Sequence, residues 1–238
     1  MLTVLTLLKV KPSPNGQLHG ERPFWREFGD QYLAAWMANV RKYVPAPHQV
    51  VVMTDAQDLV HTTAPDAWVA PLDSTTNAPG FWAKLEMFRH GHGKCLYLDL
   101  DNVITGPLDE LCALEPDPLI MLDDRRVPRL PNGSAILFDA SRCRHIWTEY
   151  TASKWWVESY FVPHGDDYSN AYDQAFIARS HTGWASPTPL FQDLLPPNYC
   201  LNAYSELPGA ENWQDSRLIF GCGSAKPHTS THPAFALR

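Results

Sequence analysis

Short runs of β-forming apolar residues alternate along this chain with segments of helical periodicity, and that alternation restricts the fold more than any other feature. Leu2–Leu8 is an apolar run, and QVVVMT at 49–54 is another; both read as buried strands. Between them, residues 9–23 carry three Pro and two Gly and read as a loop. Phe28, Tyr32, Leu33, Trp36 and Val40 then recur at helical spacing, which predicts an amphipathic helix over 28–40. Residues 77–80 form a turn, 81–89 a helix and 89–94 a basic loop. Further strands are expected at 95–98, 119–122, 135–138 and Leu218–Phe220, with helices over 141–150 and 172–179. Strands separated by helices imply a largely parallel sheet covered on both faces, with ligands beyond the strand carboxyl ends.

Composition supports a folded α/β domain and narrows its partners. Of 238 residues, 45% are hydrophobic and 19% charged, the balance of a chain that buries a core. Nine Trp and 21 Pro point to long packed loops around a pocket more than to a helical bundle. The net charge is −7 and basic residues occur only in short groups such as Arg125-Arg126, so no polyphosphate-binding stripe is evident. Cys95, Cys112, Cys143, Cys200 and Cys222 are odd in number and never two residues apart, which argues against disulfides or a zinc site. Buried thiols in a reducing cytoplasm are expected. The apolar start halts at Lys9, too short for a membrane span and without a basic leader, so a cytoplasmic protein with no integral membrane segment is expected.

The residues that point to chemistry follow the run 95–98. Asp99 and Asp101 are two apart at a strand end, and alternate strand residues face one way, so the two carboxylates are expected to project together. Two hard oxygen ligands there suit Mn²⁺ or Mg²⁺ carrying a diphosphate, whose negative charge the ion would neutralise. Asn102, Thr105 and Asp109 follow in a turn leading to a short helix.

The segments Leu96-Tyr97-Leu98-Asp99-Leu100-Asp101-Asn102-Val103 and Pro107-Leu108-Asp109-Glu110-Leu111 resemble the metal-binding element of glycosyltransferase family 8, which includes glycogenin and lipopolysaccharide galactosyltransferases. Five other segments resemble that family in order. They are Phe81-Trp82-Ala83-Lys84-Leu85, the turn Asn132-Gly133-Ser134 entering a strand, Tyr172-Asp173-Gln174, the Leu195-Pro196-Pro197 turn, and Cys222-Gly223-Ser224-Ala225-Lys226-Pro227. The resemblance spans Leu2 to His228 and implies a single GT-A (Rossmann-like) domain over 1–238. Its nucleotide-binding half would be 1–111 and its acceptor and sugar half 112–238.

The resemblance also implies roles. The donor, a UDP-sugar, would lie over the end of the first strand near Thr6, Leu7 and Lys9, with Asp55 at its base or ribose. Asp99, Leu100 and Asn132 would touch the donor, and Lys84, Gly223 and Lys226 would hold its phosphates and sugar. Asp173 would bond the sugar hydroxyls and Gln174 would sit beneath the anomeric carbon, with transfer retaining configuration. Asp99 and Asp101 would hold the metal. The family's third ligand, a His, falls here at Phe220; Cys222 and His228 are the nearby replacements, and His228 suits a hard cation better. The acceptor stays open among glycan, protein, small molecule and modified DNA base. The absence of a basic, aromatic C-terminal tail of the membrane-associated kind favours a soluble one.

Two other readings fit some of these residues. Asp99-Leu100-Asp101-Asn102-Val103 also matches the nucleophile loop of haloacid dehalogenase-type phosphatases, with Lys154 and Gly165-Asp166-Asp167 as partners. That loop usually opens a chain, whereas 98 residues precede it here. The missing third ligand would also suit a degenerate nucleotide-sugar binding module. The aromatic stretch 155–163 reads as packing, or as a lid or acceptor wall. His90 and His92 read as a solvated loop, and His164 as a surface turn.

Overall fold

A computed structural model describes residues 1–10, 24–125, 130–161, 172–182, 187–203, 205–207 and 213–220. Strand β1 (Leu2–Leu8) is followed by α1 (Phe24–Tyr43), β2 (His48–Thr54), α2 (Gln57–Thr63) and β3 (Trp68–Pro71). A 3-10 helix (Gly80–Glu86) runs into α3 (Met87–His90), β4 (Lys94–Leu98), β5 (Val103–Ile104) and α4 (Asp109–Ala113). Then come β6 (Leu119–Asp123), β7 (Pro131–Asp139), α5 (Ala140–Tyr160) and α6 (Tyr172–Thr182). The described residues close with α7 (Phe191–Leu194), β8 (Cys200–Asn202) and β9 (Leu218–Phe220).

The main sheet has the order β3-β2-β1-β4-β7-β6. Strands β1, β2, β3 and β4 are mutually parallel, and β7 runs antiparallel to both β4 and β6. A small sheet, β5-β9-β8, stands apart from it. The expected mostly parallel sheet flanked by helices is therefore the observed one.

Period-two alternation splits the core into two layers. Val4, Leu8, Leu96, Leu98, Ile120 and Leu122 face α1 and α7. Leu5, Cys95, Tyr97, Leu119, Met121, Ile136 and Phe138 face the 3-10 helix, α3, α5 and α6. Each such aliphatic side chain, fully buried, contributes about 1.5–3 kcal/mol. On α1, the buried Tyr32, Leu33, Trp36, Met37 and Val40 follow the expected stripe. Gly29 of α1 keeps the helix close to β1, since a Cβ there would meet Leu8 at 3.0 Å.

Three elements differ from expectation. Residues 81–89 are not one helix but a seven-residue 3-10 turn continuing into α3, longer than such turns usually run. The tighter winding buries Trp82, Ala83, Lys84, Leu85 and Glu86 in succession, which no single face of an α-helix could do. Helix α5 continues ten residues past Tyr150, across a kink at non-helical Ser153. Thr151 and Ser153, weak helix formers, mask that continuation in the sequence. Arg89 and His90 close α3 instead of opening a solvated loop, because buried Glu86 pairs with both, at 2.7 and 3.6 Å. The short elements α2, β3, β5, α7 and β8 have too few residues to show a period.

All four described cysteines are free and buried. Burial pushes the thiols of Cys95, Cys112 and Cys143 up to about 12, which keeps them protonated and inert.

Candidate active site

Topology brings three distant segments to the carboxyl edge of β4. Tyr97 faces the second core layer, and Asp99, two residues on, keeps that face. Because β7 is antiparallel to β4, with Leu98 opposite Ala135, the start of β7 lies beside the end of β4. The Ser134 carbonyl there accepts both the Asp99 amide (2.8 Å) and the Asn102 side-chain amide (2.7 Å). The first turn of α6 brings in Asp173, where the helix dipole favours a carboxylate.

Lys84 sits at the junction. Its Nζ lies 3.3 Å from Asp99 Oδ1 and 3.3 Å from Asp173 Oδ2, and donates to the Gly133 carbonyl at 3.0 Å. It also lies 5.4 Å from the centre of the Tyr97 ring. Tyr97 donates its hydroxyl to Asp99 Oδ1 at 2.6 Å. Burial alone would favour neutral Lys84, but the Asp173 and Asp99 carboxylates override it and hold the amine above the ordinary ammonium range. Burial likewise pushes Asp99 above the usual carboxylate range; Lys84 and Tyr97 oppose this, while Asp101 and Asp173 add to it.

Gly133 leaves this cradle open. A Cβ there would stand 3.4 Å from Asp173 Oδ2, 3.4 Å from Lys84 Nζ and 3.5 Å from Gln174 Cβ, ordinary contact distances. Packing alone therefore does not demand glycine, and the buried Gly133 backbone is held by Lys84 at its carbonyl. Gln174 reaches the Gly133 amide at 3.5 Å through Oε1.

The other expected residues divide. Asn132 is buried; its amide donates to Asp124 Oδ2 at 2.9 Å and its Oδ1 accepts from the Ser134 amide at 2.9 Å, so the side chain shapes the turn. Lys9 and Asp55 meet at 3.6 Å, and Asp55 also accepts the Val10 amide at 2.7 Å, closing the ends of β1 and β2 together. Thr6 is fully buried inside β1, so its side chain does not reach the sheet edge; Leu7 is partly buried against the second core layer. The Leu100 side chain packs in the first core layer, leaving only its backbone for a donor. Gly223, Lys226, His228, Cys222 and His164 lie outside the described residues, as does Gly165-Asp166-Asp167. Phe220, at the family's histidine position, is a fully buried core residue at the end of β9.

Asp101 does not simply repeat Asp99. Strand β4 ends at Leu98, so the pleat that would align the two carboxylates does not extend that far. Asp101 instead lines a small pocket with Tyr32, Trp36 and Asn39 of α1, yet is close enough to raise the Asp99 pKa. Sequence reasoning missed Tyr97 as an Asp99 partner, although its i, i+2 placement marks it. It also missed Asp124, which no local pattern reveals.

Asp99 and Asp173 share the Lys84 ammonium, and Asp101 lies near enough to raise the Asp99 pKa. Carboxylate oxygens such as those of Asp99 and Asp101 are the ligands Mg²⁺ and Mn²⁺ prefer. Among the described residues no group of three or more His, Cys, Asp or Glu is placed to hold a metal ion.

A doubly covered, mostly parallel α/β sheet with a polar cluster at its carboxyl edge defines a Rossmann-like protein. The particular form is the GT-A fold of glycosyltransferases, as solved structures show. No protein-family model matches the chain, and no curated protein matches it. An active-site mutant of LgtC, with a Gln replaced by Glu, superposes with a TM-score of 0.64 at 13% identity, covering 99% of this chain and 93% of that one. The galactosyltransferase LgtC with donor and acceptor sugar analogs gives 0.63 at 13% identity, covering 99% and 92%. The glycosyltransferase GlyE of Streptococcus pneumoniae TIGR4 gives 0.59 at 11% identity, covering 95% of this chain and 56% of its own. No helix among the described residues is long and apolar enough to cross a membrane.

Proposed function

We propose that the protein is a glycosyltransferase that moves a hexose from a nucleotide sugar, a UDP-sugar, to an acceptor with retention of configuration. The convergence of Asp99, Asp173 and Gly133 on buried Lys84 at the carboxyl edge of β4 carries this reading. Support comes from the complex of LgtC with donor and acceptor sugar analogs and from the active-site glutamine that its mutant replaces.

In this reading Asp99 and Asp101 would hold Mn²⁺ or Mg²⁺, with His228 as the further ligand, and the ion would supply the positive charge that offsets the departing diphosphate. Lys84 organises the site: it fixes Asp99, Asp173 and the Gly133 turn against one another, so the sugar meets preformed groups. Asp173 accepts hydrogen bonds from the sugar hydroxyls, and Gln174 lies under the anomeric carbon. Gly223 and Lys226 complete the phosphate side. A neutral glutamine is a poor nucleophile, so the acceptor hydroxyl attacks on the leaving-group face. Its oxygen bonds to the anomeric carbon as the bond to the diphosphate breaks, and its proton passes to a diphosphate oxygen. A covalent sugar trapped on Asp173 or Gln174 would refute this step.

The phosphatase reading finds no support in the geometry. Lys154 pairs with Glu158 within α5 at 3.3 Å, and the cation beside Asp99 is Lys84. The test is thermal melting with UDP, with and without Mn²⁺, in wild type and Asp101→Ala. A ligand that binds only the folded state raises the melting temperature by mass action. A shift that needs both UDP and Mn²⁺ and disappears in the variant is expected. No shift with any nucleoside diphosphate, together with hydrolysis of a generic phosphate ester, would overturn the proposal.

A further inference from the structure

Beyond the kink at Ser153, helix α5 turns large rings toward solvent. Trp155 is 82% exposed, Trp156 52% and Tyr160 39%. Trp156 and Tyr160 are four residues apart on one helix face and stack at 4.9 Å with their planes 14° apart. On this face Lys154 pairs with Glu158 at 3.3 Å, and the Arg179 guanidinium of α6 bonds Tyr160 and lies 5.5 Å from the Phe161 ring.

This face joins the candidate active site. Phe161, at the end of α5, packs against Phe176 of α6 at 5.4 Å, and its carbonyl accepts the Tyr172 amide at 2.9 Å. Tyr172 contacts Phe81 at 5.3 Å, at the start of the 3-10 helix that carries Lys84, and the next residue is Asp173. Trp156 is five helical positions from Phe161, about 7–8 Å along the axis. Trp156 itself contacts the Phe161 ring at 6.3 Å, so these rings adjoin the first turn of α6, which carries Asp173.

We infer that the acceptor is an oligosaccharide, and that Trp156 and Tyr160, flanked by Trp155, stack a sugar ring further along it. This rests on the glycosyltransferase reading and names the acceptor class for it. The flat faces of pyranose rings carry C–H groups that pack on aromatic planes, and their hydroxyls stay in water at the rim. Other occupants fit less well. The exposed rings offer roughly 300–400 Å², against about 800 Å² per partner in a stable dimer. An anionic membrane would require a cluster of cations, and the described cations beside these rings are Arg179 and Lys154, the latter paired with Glu158.

The test is saturation-transfer NMR with millimolar maltopentaose, cellopentaose and chitopentaose, in wild type, Trp156→Ala/Tyr160→Ala and Trp155→Ala. The stability and the UDP–Mn²⁺ thermal shift of each protein are measured in parallel. Transfer to the ring protons of at least one pentaose is expected in wild type. In the double variant the affinity should fall about 10-fold or more, with the nucleotide shift intact. No transfer from any pentaose, or transfer that survives removal of both rings, overturns the platform. So does burial of these rings in a dimer detected by sedimentation, or quenching of their fluorescence by phosphatidylcholine vesicles. Absence of the nucleotide shift in wild type would instead overturn the transferase reading itself.

Discussion

Two buried charged sites are set by residues only two apart at the end of the same 3-10 helix, Lys84 and Glu86, and their charge balance differs. Glu86, 1% exposed, accepts the Asp73 amide through both oxygens at 2.8 and 3.0 Å and pairs with Arg89 at 2.7 Å and His90 at 3.6 Å. Its one negative charge is answered within the protein. Two residues earlier, Lys84 pairs with both Asp99 and Asp173, and Asp101 is near enough to raise the Asp99 pKa further. At Glu86 the partners outnumber the carboxylate, which fixes structure; at Lys84 two carboxylates share one ammonium, the kind of arrangement that recurs at functional sites.

The sharpest way to break this comparison is Lys84→Met. Removing the ammonium that Asp99 and Asp173 share leaves buried carboxylates facing each other, and a loss of about 3–5 kcal/mol in chemical denaturation is expected. A loss under about 1 kcal/mol would mean the carboxylates take up protons or water easily, and the contrast would fail. Next comes Asp101→Asn, which should lower kcat/KM by about 10²–10³-fold while leaving the melting temperature unchanged or raised, since a like charge is removed. A fall in both would make Asp101 a structural residue like Glu86.

Glu86→Gln is the mirror experiment. It should cost about 2 kcal/mol, less than a fully buried pair because Arg89 is one-third exposed. The UDP–Mn²⁺ shift should persist; its loss would show that this clamp tunes the site rather than the fold.

The smallest effect is expected where a carboxylate meets water. Asp139 caps α5, accepting from the Ser141 amide at 2.8 Å, and this bonding lowers its pKa. Asp139→Ala should cost about 1 kcal/mol near neutral pH. Because the folded-state pKa is depressed, that contribution is present above the unfolded value, about 4, and fades as the pH falls through the folded one. Wild-type and variant stabilities measured by urea titration should converge in acid; a constant gap would place the effect in helix propensity rather than charge.

Much of the scaffold was legible in the chain because it rests on local periodicity. The runs Leu2–Leu8 and 95–98 alternate with a helical stripe on α1, and this predicts a sheet covered on both faces. The same period of two reveals which face Asp99 takes once Tyr97 is placed. Asp99, Asp173 and Lys84 were each readable as candidate site residues by resemblance, one motif at a time.

Their meeting was not readable. Lys84 and Asp173 are far apart in sequence, and only the antiparallel insertion of β7 beside β4, with α6 behind it, brings both to Gly133. Tertiary structure also redirected what the pattern suggested. It ended β4 before Asp101, enclosed Thr6 within β1, and turned the amide of Asn132 onto Asp124. Sequence alone determined the order of the longer strands and helices and the inventory of charged groups, because propensity and periodicity act over a few residues. Which carboxylates share one lysine was decided by strand register and helix packing, because desolvation and Coulomb attraction depend on distance in space, not along the chain.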